Sequence, residues 1–187
     1  PYYNKTSQKG LVSHYNRIAD NVNIPIILYN VPSRTGVNIA PETYLELSKH
    51  KNIVATKEAN GDISSIAKTI SLCGDNLAVY SGNDDQTVPV LSLGGRGCIS
   101  TVSNIIPAEY SRMIHDYLAG DVQKAGKTQV ALKPLIDVIF SEVNPIPVKA
   151  ALHFMDFCEL EYRLPLCPPS NKTQYRLYEA LRENQLV

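Results

Sequence analysis

Two side chains able to do chemistry close two apolar runs. Tyr29 ends the run from Ile24, and Lys57 ends the run from Ile53. A lysine in such a run is costly to bury charged. Burial favours the neutral amine, the nucleophile that forms Schiff bases with carbonyl compounds. The plainer alternative is a strand-end lysine whose ammonium snorkels to solvent. Tyr29 reads either as a packed aromatic or as a phenol that shuttles protons while a carbinolamine dehydrates. Arg34, in Pro32-Ser33-Arg34-Thr35-Gly36 just beyond, is either a surface arginine or a bidentate grip on a carboxylate. If the two runs are adjacent parallel strands, about 4.8 Å apart, these groups converge at the carboxyl ends. That is the face where α/β sheets bind ligands.

The elements that must hold them follow from periodicity. Four short runs rich in β-branched residues predict strands at Ile24–Tyr29, Ile53–Lys57, Leu77–Ser81 and Gly97–Val102. Each precedes a polar loop and a helical pattern. Asp62 caps a helix that carries Ile63, Ile66, Ala67 and Ile70 on one face. Pro41-Glu42 and Pro107-Ala108-Glu109 open helices, and Gly94-Gly95 and Gly120 close them. Strands alternating with helices predict βαβ units and a parallel sheet covered on both faces. From about 107 to 187 the pattern is helical, broken at Asn144-Pro145-Ile146-Pro147 and at 164–169, with Asn171 capping a last helix through Leu177, Tyr178 and Leu181. The expected division is 1–106 and 107–187. Four strands do not close a barrel, which takes eight. The unit is either a small open α/β fold or half of a (β/α)8 barrel.

Ser81-Gly82-Asn83-Asp84 ends the third strand, and Gly94-Gly95-Arg96-Gly97 enters the fourth, which carries Ile99. Their glycines allow close approach of backbone to a ligand, or simply turns and caps. Dinucleotide and phosphate-loop patterns are absent.

Composition narrows the partners. The 187 residues carry 18 basic and 18 acidic side chains. This balance leaves no electrostatic footprint for nucleic acid or an anionic membrane. No apolar stretch reaches the roughly 18 residues of a membrane span, and no signal peptide is recognisable. Cys73, Cys98, Cys158 and Cys167 form no Cys-x-x-Cys pair, and no histidine stands at ligand spacing beside them, so no metal is expected. They read as reduced thiols of a cytoplasmic protein, Cys98 buried in its strand, with a Cys158–Cys167 disulfide the alternative.

Together, Tyr-Asn-Val-Pro-Ser-Arg-Thr-Gly at 29–36, Lys-Glu-Ala-x-Gly-Asp at 57–62, Ser-Gly-Asn-Asp at 81–84, Gly-Gly-x-Gly-x-Ile-Ser at 94–100 and Asn-Pro-Ile-Pro-Val-Lys at 144–149 resemble the dihydrodipicolinate (4-hydroxy-tetrahydrodipicolinate) synthase family. The resemblance runs from Pro1 to the C-terminus. Pro-Ser-Arg-Thr-Gly separates this family from N-acetylneuraminate lyase and the sugar-acid aldolases. The resemblance implies a TIM barrel, here its second half-barrel with a C-terminal helical region, and a lyase of lysine (diaminopimelate) biosynthesis. It implies no cofactor beyond a covalent imine between Lys57 and pyruvate. Tyr29 would relay protons, Arg34 would bind the carboxylate of aspartate semialdehyde, and Gly82 and the Ile99 backbone would line the pyruvate pocket. Tyr3 would reach across the interface of a homo-oligomer, a dimer of dimers in the family, and Tyr2 would sit at its lysine effector site. Pro1 to Lys5 read like the end of a strand-to-helix loop. The family's first four strands and its Thr-Thr-Gly proton-relay element have no counterpart here. The expectation is therefore a chain inactive by itself. The alternatives are a catalytically dead half-barrel that serves as an oligomerisation or regulatory partner, and a related pyruvate aldolase.

Overall fold

The computed structural model describes all of residues 1–187. They divide into two compact units, Pro1–Ile99 and Ser100–Val187. The first therefore ends at the fourth strand, some residues before the expected division at 106.

The first unit runs α1 (Gln8–Ala19), β1 (Ile26–Asn30), α2 (Pro32–Thr35), α3 (Pro41–Leu47), β2 (Ile53–Glu58), α4 (Ile63–Cys73), β3 (Ala78–Ser81), α5 (Thr87–Ser92) and β4 (Gly97–Cys98). The strands form one parallel sheet in the order β1-β2-β3-β4. It is a partial barrel, four βα units of a (β/α)8 architecture. The helix starts follow the sequence logic. The Asp62 side chain accepts from the Ser65 N–H, and Pro41 occupies the first turn of α3. Gly36 closes α2 at φ 70°, a left-handed position that favours glycine. Leu28 and Ile53 meet Leu11 and Ala19 of α1, Tyr44 and Leu47 of α3, and Cys73 of α4 in one core cluster. Val79 packs with Ile66 of α4 and Val90 of α5 in another.

All four strands differ from their predicted bounds: β1 and β2 run one residue further, to Asn30 and Glu58, and β3 starts one residue later, at Ala78. β1 starts at Ile26 because Pro25 has no N–H to give the ladder. β4 is only two residues long, although a strand was expected to Val102. Ile99 still donates to the Ser81 carbonyl at 2.9 Å. The Ser100 hydroxyl then accepts from the Ser103 N–H, and Val102–Asn104 wind into a 3-10 turn. The local serine bond competes with the ladder. Cys98, expected buried, is only half-buried, since β4 is an edge strand paired on one side. None of the four cysteines is in a disulfide.

The second unit is helical: α6 (Pro107–Leu118), α7 (Val122–Ala131), α8 (Lys133–Ile139), α9 (Ile146–Phe154) and α10 (Asn171–Glu183). Tyr110, Met113, Ala125, Leu135, Ile139, Ala151, Leu177 and Leu181 are buried. Two details depart from the sequence reading. Ile146 and Pro147 lie inside α9, where a proline in the first turn removes no helical bond. The cap of α10 is Ser170, whose hydroxyl accepts from the Thr173 N–H, and Asn171 is the first helical residue. No helix is long and apolar enough to cross a membrane.

Candidate active site

The register of the sheet builds the site. Tyr29, Lys57 and Tyr80 lie side by side on β1, β2 and β3, and Asn30, Glu58 and Ser81 form the next row. Successive residues of a strand point to opposite faces, so the two rows serve different purposes. In the first row the Lys57 ammonium sits 4.3 Å from the centroid of the Tyr29 ring. Such cation–π contacts contribute roughly 0.5–1 kcal/mol where water still reaches them. Lys57 is half-buried and Tyr29 is 44% exposed, so this face of the sheet is open.

The strand ends are held close beside the pair. The Gly82 N–H donates to the Glu58 carbonyl at 2.7 Å. A Cβ on Gly82 would stand 2.7 Å from the Ala59 Cβ and 3.1 Å from that carbonyl oxygen. Gly82 is thus required for the close approach of β3 to β2. The Ile99 N–H extends the same pairing to the end of β3.

Arg34 is exposed in α2, directly after β1. The N-terminal segment reaches the same turn, because a Cβ on Gly36 would lie 2.9 Å from Cε of Lys5. Tyr2 and Tyr3 stand at the surface, 75% and 85% exposed, with Tyr3 at φ 64°. The structure therefore brings Tyr29 and Lys57 together, seats Gly82 and Ile99 on the neighbouring strand ends, and leaves both N-terminal tyrosines uncovered.

The second row holds a polar cluster that the sequence reading missed. Glu58 is 3% exposed. Its carboxylate accepts from Asn30 Nδ2 at 2.9 and 3.0 Å, from the Tyr44 hydroxyl at 2.8 Å and from the Asn60 N–H at 2.9 Å. The Thr56 hydroxyl donates to the Tyr44 oxygen at 3.1 Å. Asn30 Nδ2 also donates to Asn38 Oδ1 at 2.7 Å, and Asn30 Oδ1 accepts from the Ile39 N–H at 3.1 Å. Gln8 clamps the same loop, donating to the Asn38 carbonyl and accepting from the Ala40 N–H and the Thr43 hydroxyl. Burial pushes the Glu58 carboxyl above its ordinary value, although the donors from Asn30, Tyr44 and Asn60 pull the other way. Burial, then the charge of Glu58, pushes the Tyr44 phenol well up. Strict alternation along β2 does not reveal it, since that groups Glu58 with the exposed Val54 and Lys57 with the buried Ile53 and Ala55.

The profile of the dihydrodipicolinate synthetase family matches residues 1–184. The chain belongs to this family. It is 52% identical over 188 residues to the 4-hydroxy-tetrahydrodipicolinate synthase of Thermoanaerobacter sp. (strain X514), covering all of this chain and 63% of that protein. It superposes on the crystal structure of dihydrodipicolinate synthase from Thermotoga maritima with a TM-score of 0.98 at 46% identity, covering all of this chain and 65% of that one. The chloride-inhibited dihydrodipicolinate synthase of Acinetobacter baumannii, solved with pyruvate, gives a TM-score of 0.97 at 40% identity, covering all of this chain and 64% of that one. The chain thus spans less than two thirds of the length of these relatives. As a member of the family it has a partial TIM barrel followed by C-terminal helices.

Proposed function

We propose that this chain carries the Schiff-base half of an active site that condenses pyruvate with L-aspartate 4-semialdehyde to 4-hydroxy-tetrahydrodipicolinate in lysine biosynthesis. The observation that carries the reading is the in-register Tyr29–Lys57 pair, with the amine against the phenol ring. Lys57 Nζ, after giving up a proton, attacks the ketone carbon of pyruvate. The carbinolamine expels the former ketone oxygen as water, with Tyr29 passing the proton, and an imine remains. Loss of a methyl proton gives the enamine, whose carbon attacks the aldehyde carbon while the aldehyde oxygen takes up a proton and becomes the hydroxyl. The amine of the aldehyde substrate then adds to the imine carbon and displaces the Lys57 amine, which closes the ring and frees the enzyme. Arg34 holds the carboxylate of the aldehyde substrate, while the backbone at Gly82 and Ile99 borders the pyruvate pocket. No metal or organic cofactor enters this scheme. The same reading assigns the protein to the cytoplasm.

The exposed Tyr2 and Tyr3 favour a homo-oligomer in which a neighbouring subunit covers them. Tyr3 would then complete that neighbour's proton path, and Tyr2 would border an effector pocket. A related aldolase with another acceptor is disfavoured by Arg34. The open face of the sheet favours a second reading, a half-barrel that is silent by itself and serves as an oligomerisation or regulatory partner.

The test is covalent trapping. Pyruvate with borohydride on the full-length protein should add a reduced adduct to the peptide containing Lys57. Adduct at a different lysine, or none in a folded preparation, sinks the assignment.

A further inference from the structure

The buried Glu58 has no part in the chemistry above, yet it ties the strand ends that carry Tyr29 and Lys57 to the stretch that follows Arg34. Its two carboxylate oxygens gather donors from β1 (Asn30), from α3 (Tyr44) and from the turn after β2 (Asn60). Through Asn30 the same bonds reach Asn38 and Ile39, in the stretch between α2 and α3 that follows Arg34. Donor directions are all accounted for. One Asn30 N–H goes to Asn38 and the other is shared by the two Glu58 oxygens, while Tyr44 passes on the polarity of Thr56. No buried side-chain polar atom lacks a partner. A network satisfied in this way is stiff, and losing one acceptor leaves a buried donor unpaired.

Glu58 is also the covalent neighbour of Lys57, and Asn30 is that of Tyr29. The Glu58–Asn30 bond therefore sets the lateral position of the two strand ends, one residue beyond the reacting pair. A shift of β1 against β2 would carry the Tyr29 ring away from the amine.

We infer that Glu58 is a positioning residue, which locks the ends of β1 and β2 and the Arg34 segment so that Lys57, Tyr29 and Arg34 share one geometry. The inference rests on the Schiff-base reading of Lys57. Glu58→Gln keeps the shape but replaces one acceptor oxygen with an NH2 group, so one of the three donors loses its partner. Misplacement on the scale of 1 Å costs roughly 10- to 100-fold in rate.

In the full-length Glu58→Gln protein, the rate of imine formation at saturating pyruvate should fall by that factor, read by borohydride trapping and peptide mass. KM for the aldehyde substrate should rise as the Arg34 segment loosens. Tyr44→Phe, which removes one donor to Glu58 and the acceptor of the Thr56 hydroxyl but keeps the ring, should give a smaller loss of the same kind in a protein that stays folded. If Glu58→Gln fails to fold, Tyr44→Phe decides alone. A purely structural role would lower the melting temperature and leave both kinetic values of the folded protein unchanged, and that result overturns the inference. If the unaltered protein itself takes no label at Lys57, the Schiff-base reading fails and the positioning role falls with it. If it labels normally and both variants match it, only the positioning role falls.

Discussion

At the residue scale, Arg34 and Glu58 make opposite demands on their surroundings. Arg34 is exposed in α2 just after β1, where the proposed function has it meet an incoming carboxylate. Arg34→Ala in the full-length protein should mainly damage use of aspartate semialdehyde. A charged bidentate contact contributes roughly 1.5–3 kcal/mol, or about 10- to 100-fold. Pyruvate trapping should survive; equal loss of trapping and turnover in a folded protein would give Arg34 another task. Glu58, by contrast, is buried, and burial raises its carboxyl above the ordinary value. The folded protein then binds this proton more tightly than the unfolded chain. The contribution to stability is fully present below the unfolded pKa and is lost as pH rises through the folded one. Urea midpoints measured across that window should fall with pH from this group, and the fall should be shallower in Glu58→Gln. An identical slope in the two proteins would show that Glu58 does not titrate in this way.

At the scale of elements, the site depends on how closely strand ends approach. The contact between β2 and β3 leaves no room for a Cβ on Gly82. Gly82→Ala must push the turn after β3 away from Glu58 and Ala59. Overpacking of this kind costs about 1–3 kcal/mol. The expected result is a lower melting temperature together with slower imine trapping at Lys57, because the displaced carbonyl belongs to the next residue. A variant with unchanged stability would mean that the strand ends relax freely. The helical side is less demanding. Its caps at Asp62 and Ser170 each satisfy one backbone donor and set where α4 and α10 begin.

At the scale of the whole molecule, four strands leave a sheet unfinished. β1 and β4 each pair on one side only. Ile27, Tyr29, Val54 and Ile99 are exposed. Unpaired edges and exposed apolar side chains drive association. A protein of these 187 residues alone should therefore sediment as a dimer or larger, or aggregate, with negligible turnover in a coupled assay. A well-folded monomer with substantial condensing activity would contradict this. The alternation of strand and helix, the helix starts at Pro41, Asp62 and Pro107, and the placing of Tyr29 and Lys57 at strand ends were legible from local rules, since periodicity, capping and proline chemistry act over a few residues. So was family membership, because its motifs are short and contiguous. The length of β4 was not legible, since apolar residues continue past Cys98 and only the Ser100–Ser103 turn ends the ladder. The contact of Lys57 with the Tyr29 ring and the convergence of Asn30, Tyr44 and Asn60 on Glu58 were decided by tertiary structure alone. Those partners lie up to 28 residues apart along the chain. Only the register of parallel strands, set by packing α1, α3 and α4 against one face, brings them within reach.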